Sequence, residues 1–334
     1  MKRRWTCVVA SALLAFAALV QAQPVEEEDR VQNEVTAALW FGDLAELERL
    51  HALYQQPGQL TVAGRSKLVL FNDGVGKVFN GPKGQSEAFF VQMEALTLHW
   101  AQSHPESALV HALHAEALIA HAWSYRGDGY ANTVTPQAWR DFKSHIERAL
   151  AYLARHGDVA LRSSSGYVQL LHAGRAAGWD ADRLWSVAQA GLQRNPEDER
   201  LYRAMLTALL PKWGGSAVQV DRLIQDIAKR TAATHGDIYY ARMYAWASDW
   251  QFSHQLFEDS GASWPRIKSG YQELVRRHPA PINVNGYAHM ACLARDKPVL
   301  LDLLEQIGRN PVLAVWGSNP SRIFEGCKRW AAQQ

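Results

Sequence analysis

Long apolar runs are missing from this 334-residue chain, apart from one near its start. That run, residues 8–20, falls short of the ~20 residues a membrane-spanning helix needs. It is preceded by Lys2, Arg3 and Arg4 and followed by Val20-Gln21-Ala22. A basic start, a short apolar stretch and a small-residue site are the parts of a secretory signal peptide, cleaved after Ala22. The expectation is a periplasmic or secreted bacterial protein with no membrane insertion after cleavage. Excess charge is also missing. Without the three leader cations, 32 Lys and Arg face 33 Asp and Glu, a net charge of −1 with His neutral. A chain so balanced is not built to hold nucleic acid or anionic lipid.

Cysteine is scarce. Cys7 precedes the apolar run and no cysteine follows it closely, which excludes a lipoprotein-type attachment. Cys292 and Cys327 remain. In an oxidising compartment an even pair is a candidate disulfide, the alternative being two buried thiols.

Motifs of catalysis and cofactor binding are absent too. There is no Gly-x-Ser-x-Gly, and Ser163-Ser164-Ser165-Gly166 reads as a cap or turn between helices. Gly74-Val75-Gly76-Lys77 lacks the spacing of a phosphate loop and the hydroxyl residue after its lysine. The His-Glu-x-x-His pattern fails, since Glu116 lies two residues from His114 and His121 seven. No catalytic residue is assigned and no cofactor is expected.

What the chain does have is helical punctuation. Residues 181–194, 197–210 and 217–231 read as successive helices, separated by Asn195-Pro196 and by the turn Pro211-Lys212-Trp213-Gly214-Gly215. Leu184, Val187, Ala188, Gly191 and Leu192 recur at the spacing of one buried helical face, as do Val220, Leu223, Ile224, Ile227 and Ala228. Ser216 with Gln219 has the form of a capping box. Asp43 with Glu46, and Thr135 with Pro136, mark two further helix starts. Similar proline stops recur at Ser103-His104-Pro105, Arg194-Asn195-Pro196, Arg277-His278-Pro279 and Arg309-Asn310-Pro311, which suggests related units.

These signals predict an all-α fold, a degenerate tetratricopeptide-like helix-pair array (an α-solenoid) over residues 23–310. A C-terminal tail, 311–334, carries a short helix at 323–331. Residues 24–29 read as an acidic, extended lead-in, with the first helix starting near Val31. Residues 58–86, broken by glycines, are an irregular insert: a β-hairpin, a lid, or a helix interrupted by loops.

Thirteen Trp residues are the compositional excess. Two turns, Trp123-Ser124-Tyr125-Arg126-Gly127 and Pro211-Lys212-Trp213-Gly214-Gly215-Ser216, combine Trp, a cation and glycine. One reading is a rim where Trp123, Arg126, Lys212 and Trp213 meet a partner. The other, favoured by how helical arrays pack, makes each Trp a wedge between helix pairs. A separate stripe of His111, His114 and His121 falls on one face of a helix and is the alternative site, for a metal.

The same residues carry a resemblance. Trp123…Arg126-Gly127, Leu210-Pro211-Lys212-Trp213-Gly214-Gly215-Ser216 and Ala291-Cys292…Asp296 resemble the bacterial family of domain of unknown function 4034, from about Leu39 to Trp316. The resemblance implies a helical, tetratricopeptide-like protein without an assigned activity, and it carries over no catalytic residues. The expected function is a protein-interaction module for a protein or peptide partner in the cell envelope. The alternative is an envelope metal-binding protein or metal-dependent hydrolase using the histidine stripe.

Overall fold

The computed structural model describes residues 23–79, 86–127, 129 and 131–333, and the leader peptide expected at 1–22 lies outside them. The chain is all-α, with no named strand among the described residues and a single isolated bridge between Leu60 and Ser66. Three helices open it: α1 (Gln23–Trp40), α2 (Leu44–Tyr54) and α3 (Lys67–Phe79). Helix pairs follow: α4 (Glu87–Ser103) with α5 (Ala108–Arg126), α6 (Pro136–Arg155) with α7 (Ser164–Ala176), and α8 (Ala181–Arg194) with α9 (Glu199–Leu209). The last pairs are α10 (Ala217–His235) with α11 (Ile238–Ala247), α12 (Trp264–Arg277) with α13 (Pro281–Leu293), and α14 (Lys297–Ile307) with α15 (Pro320–Ala332). No helix among the described residues is long and apolar enough to cross a membrane.

The capping residues act as their chemistry requires. Asp43, Thr135, Asp180 and Ser216 each accept a hydrogen bond from the backbone N–H three residues on, satisfying donors the first helical turn leaves free. The second helices α5, α7, α9 and α11 pack side by side in that order.

Two expectations are corrected. The acidic lead-in is helix from Gln23, because its carboxylates have partners far along the chain. Glu28 receives Arg65 at 2.7 Å, and Glu27 pairs with Lys67 at 3.2 Å. Within the Gly-rich insert, residues 67–79 form one uninterrupted helix. Gly74 is needed there because α1 comes so close: a Cβ would lie 2.7 Å from the Gln32 carbonyl oxygen. Thr36 Oγ1 donates to the Gly74 carbonyl at 3.0 Å across the same contact.

One hydrophobic core links α1 to α5 through Leu39, Leu47, Leu70 and Leu113, and a second runs from α7 to α15 through Leu201, Met205, Tyr240 and Trp316. A buried ion pair fastens their junction. Arg200 meets Asp198 at 2.7 Å and donates to Ser164 and Ser165, while His51 shares the Ser165 hydroxyl at 2.9 Å. Satisfied on all sides, such a pair costs little, whereas removing either member would strand a buried charge. The first unit also reaches the far end of the chain. Arg242 donates to the Gly64 carbonyl, Asn283 donates to that of Ala63, and α1 touches α13.

The C-terminal residues belong to the second core. Trp316 is fully buried and its indole N–H donates to Asn285 Oδ1 at 3.1 Å. Cys292 on α13 and Cys327 on α15 form a disulfide, with Cα atoms 5.8 Å apart.

Candidate binding surface

Helix α5 carries the histidine stripe and two of the four rim residues, Trp123 and Arg126. Its Ala- and Leu-rich sequence is buried on all sides from Leu109 to Ala122, as expected of a helix with no polar face. α4 and α6 run alongside it, with α7 on a further side. Each polar side chain on α5 must therefore find its partner on a different neighbour.

The four rim residues named from sequence include two from each end of a 90-residue stretch, and the fold brings them to one edge. Trp123 and Arg126 end α5, and Lys212 and Trp213 form the single 3₁₀ turn after α9. The Trp123 and Trp213 rings meet edge to face, with centroids 5.9 Å apart. Arg126 lies 5.7 Å from the Trp123 ring and 6.0 Å from that of Trp213. Lys212 Nζ donates to the Trp250 carbonyl at 2.7 Å and sits 4.8 Å from the Trp250 ring. The Pro-Lys-Trp-Gly-Gly-Ser block has a stereochemical basis. Gly214 holds φ +92°, and a Cβ on Gly215 would lie 2.0 Å from the Leu209 carbonyl oxygen.

Sequence reasoning missed the centre of this cluster. Arg175, in the last turn of α7, is packed between Trp213 at 4.7 Å and Trp123 at 5.4 Å. Trp139 and Trp250 extend the row, Trp250 stacks on Trp246, and Arg203 covers the Trp246 ring at 3.4 Å. A signal was available: Arg175 occupies the last turn of its helix just as Arg126 does. Cations belong at that end, where free carbonyls carry partial negative charge.

The cluster is short of anions. Among the described residues no carboxylate forms an ion pair with Arg126, Arg175, Arg203 or Lys212. Arg175 Nε and Trp246 Nε1 are buried donors without a hydrogen-bond partner among the described residues. Burial pushes the Arg175 guanidinium down to about 10, which leaves it charged at neutral pH. Burial, then the nearby Arg175, lowers the Lys212 ammonium. The surface remains open, for Trp213 is 37% and Trp250 45% exposed. Behind it a cavity of about 250 Å³ is lined by Arg65, Arg203, Arg242, Glu199, which pairs with Arg242 at 3.6 Å, and Asp249, whose carboxyl burial raises to about 6.

The histidine stripe does not form a ligand set. His111 is held by Tyr152 at 2.6 Å and the Pro105 carbonyl at 2.9 Å, and His114 by Thr97 at 2.9 Å. The reason is axial: at 1.5 Å of rise per residue, His121 lies roughly 10 Å beyond His114 along α5, too far to share an ion. His121 instead contacts Glu94 and Glu87. No known family, curated protein or solved structure matches this chain.

Proposed function

We propose that the protein is an exported, tetratricopeptide-like interaction module whose Trp-and-cation edge binds an acidic, extended segment of a partner in the cell envelope. One observation carries the reading. Arg175 is a half-buried guanidinium held between two indoles, its Nε out of solvent, with no carboxylate paired to it among the described residues. A charge so placed is costly, and a bound carboxylate would relieve that cost. Exposed indoles beside it would add apolar contact, the combination common at interface hot spots. The resemblance to the domain of unknown function 4034 family is consistent with a role that needs no catalytic group. The leader sequence and the disulfide agree with residence outside the cytoplasm.

Intrinsic tryptophan fluorescence tests the reading. Glu-rich and Lys-rich peptides of equal length, each carrying one Tyr, are titrated into the mature protein. The expected result is saturable quenching by the Glu-rich peptide alone, weakening as salt screens the charges. Equal responses to both peptides, or none to either, would contradict it.

A further inference from the structure

A second group of side chains lies one helical turn before the rim, and its chemistry is different. His121 on α5, Glu94 on α4 and His145 on α6 each offer a ligand atom within 4.8 Å of the other two. His121 Nδ1 stands 2.6 Å from Glu94 Oε1, and His145 Nε2 is 3.9 Å from that same oxygen. The rings of His121 and His145 have centroids 4.3 Å apart. We propose that Glu94, His121 and His145 form a zinc site of two imidazoles and one carboxylate, with a fourth position left for water.

Every member of the set is already oriented by an outer partner. His145 Nδ1 donates to the Asp141 carbonyl at 2.9 Å, which fixes the tautomer and leaves the Nε2 lone pair directed at Glu94. His121 Nε2 lies 3.0 Å from Glu87 Oε2, the carboxylate–histidine arrangement that steadies a ligating imidazole through its other nitrogen. Arg148 holds the second oxygen of Glu94 at 2.6 Å, so Oε1 alone faces the histidines. Phe90 stacks on His121 at 5.0 Å, and Tyr125, stacked on it at 5.1 Å, donates to Glu87 at 2.7 Å.

The spacing suits a small divalent ion. Tetrahedral zinc with bonds of 2.0–2.1 Å sets its ligand atoms about 3.3 Å apart. The observed 2.6 and 3.9 Å lie on either side of that value, so small side-chain rotations close the site. Zinc takes the place of the proton in the hydrogen bond between His121 Nδ1 and Glu94 Oε1, which passes to solvent or to Nε2, so the metal-bound ring donates from Nε2 to Glu87. An ion has a route in, because the Glu87 side chain is 60% exposed while Glu94 and His145 stand at 12% and 15%.

Calorimetric titration of the EDTA-treated mature protein with Zn²⁺, paired with Co²⁺ titration followed by visible absorption, tests the proposal. One ion per chain is expected, at micromolar affinity or tighter, with the intense visible bands of tetrahedral Co²⁺. His145→Ala removes one ligand whose only hydrogen bond among the described residues is to its own helix, so circular dichroism should be unchanged and affinity should fall at least 10-fold. Glu87→Ala spares all three ligands and should weaken binding 10- to 100-fold. No ion bound at 100-fold excess, or affinity unchanged in a folded His145→Ala protein, would overturn the site. The result stands or falls independently of peptide binding at the rim.

Discussion

The two clusters at the end of α5 are built on opposite plans although His121 and Trp123 are two residues apart. At the rim, Arg126, Arg175 and Lys212 lie against indole rings with no acid among the described residues to pair with them. At His121, each ring nitrogen meets a carboxylate, and Arg148 completes the charge balance on Glu94. A cation stacked on an aromatic ring gains about 0.5–2 kcal/mol, far less than a buried charge loses on leaving water. The rim is therefore under-neutralised, and the histidine cluster is compensated from within. The first arrangement leaves its cations without a carboxylate among the described residues, and the second pairs each of its charges from within.

The comparison is broken most severely by His121→Ala. It would open a void between Phe90 and Tyr125 and take one hydrogen bond from Glu94, which keeps Arg148, while the exposed Glu87 keeps Tyr125. A loss of about 2–3 kcal/mol is expected from the cavity and the lost hydrogen bond, read by urea denaturation. A loss under 1 kcal/mol would mean the carboxylates are not held by this ring. Trp213→Ala comes next. Because Trp213 is 37% exposed, stability should fall by about 1–2 kcal/mol, less than the 3–5 expected of a buried tryptophan. Binding of the Glu-rich peptide should weaken by about 2 kcal/mol. A wedge without a binding role would show the stability change alone.

The smallest effect concerns Glu116, also on α5, which accepts from Gln169 at 2.9 Å and forms no ion pair among the described residues. Burial raises its carboxyl to about 8, against the pull of Arg200. Folded Glu116 thus keeps its proton where the unfolded chain has lost it, and its contribution to stability fades as pH rises from about 4.5 to 8. Burial drives four histidines the other way, His51 and His172 to about 3 and His114 and His289 to about 4. Their contribution is present above about 6.5 and is lost as pH falls towards 4. Stability should peak near pH 6.5. Glu116→Gln should remove about 1 kcal/mol of the decline between pH 6.5 and 8, measured by thermal melts across that range. An unchanged alkaline slope would show that Glu116 ionises normally.

Helix positions were legible in the sequence because caps and proline stops are local chemistry. Thr135-Pro136 and Ser216-Gln219 start helices where their side chains meet the free backbone donors. What escaped depended on distant partners. The acidic residues of α1 read as an extended lead-in until Arg65 and Lys67 close on Glu28 and Glu27. Gly74 reads as a helix breaker, yet it allows α1 and α3 to touch. The histidine stripe is correct on a helical projection and wrong along the axis, and its replacements, Glu94 and His145, come from other helices. At the rim, Trp123, Arg126, Lys212 and Trp213 were visible because their turns combine Trp, a cation and glycine, whereas Arg175 was marked only by its place in the last turn of α7.

Arg175→Met tests the central claim most directly, with urea denaturation and Glu-rich peptide binding measured on the same preparation. Methionine keeps the apolar contact with Trp123 and Trp213 and removes an uncompensated charge. Stability should be unchanged or rise by about 1 kcal/mol, while peptide affinity falls at least tenfold, about 1.4 kcal/mol. A marked loss of stability with full peptide binding would show that Arg175 serves the fold and that the rim is not a site for an anionic partner.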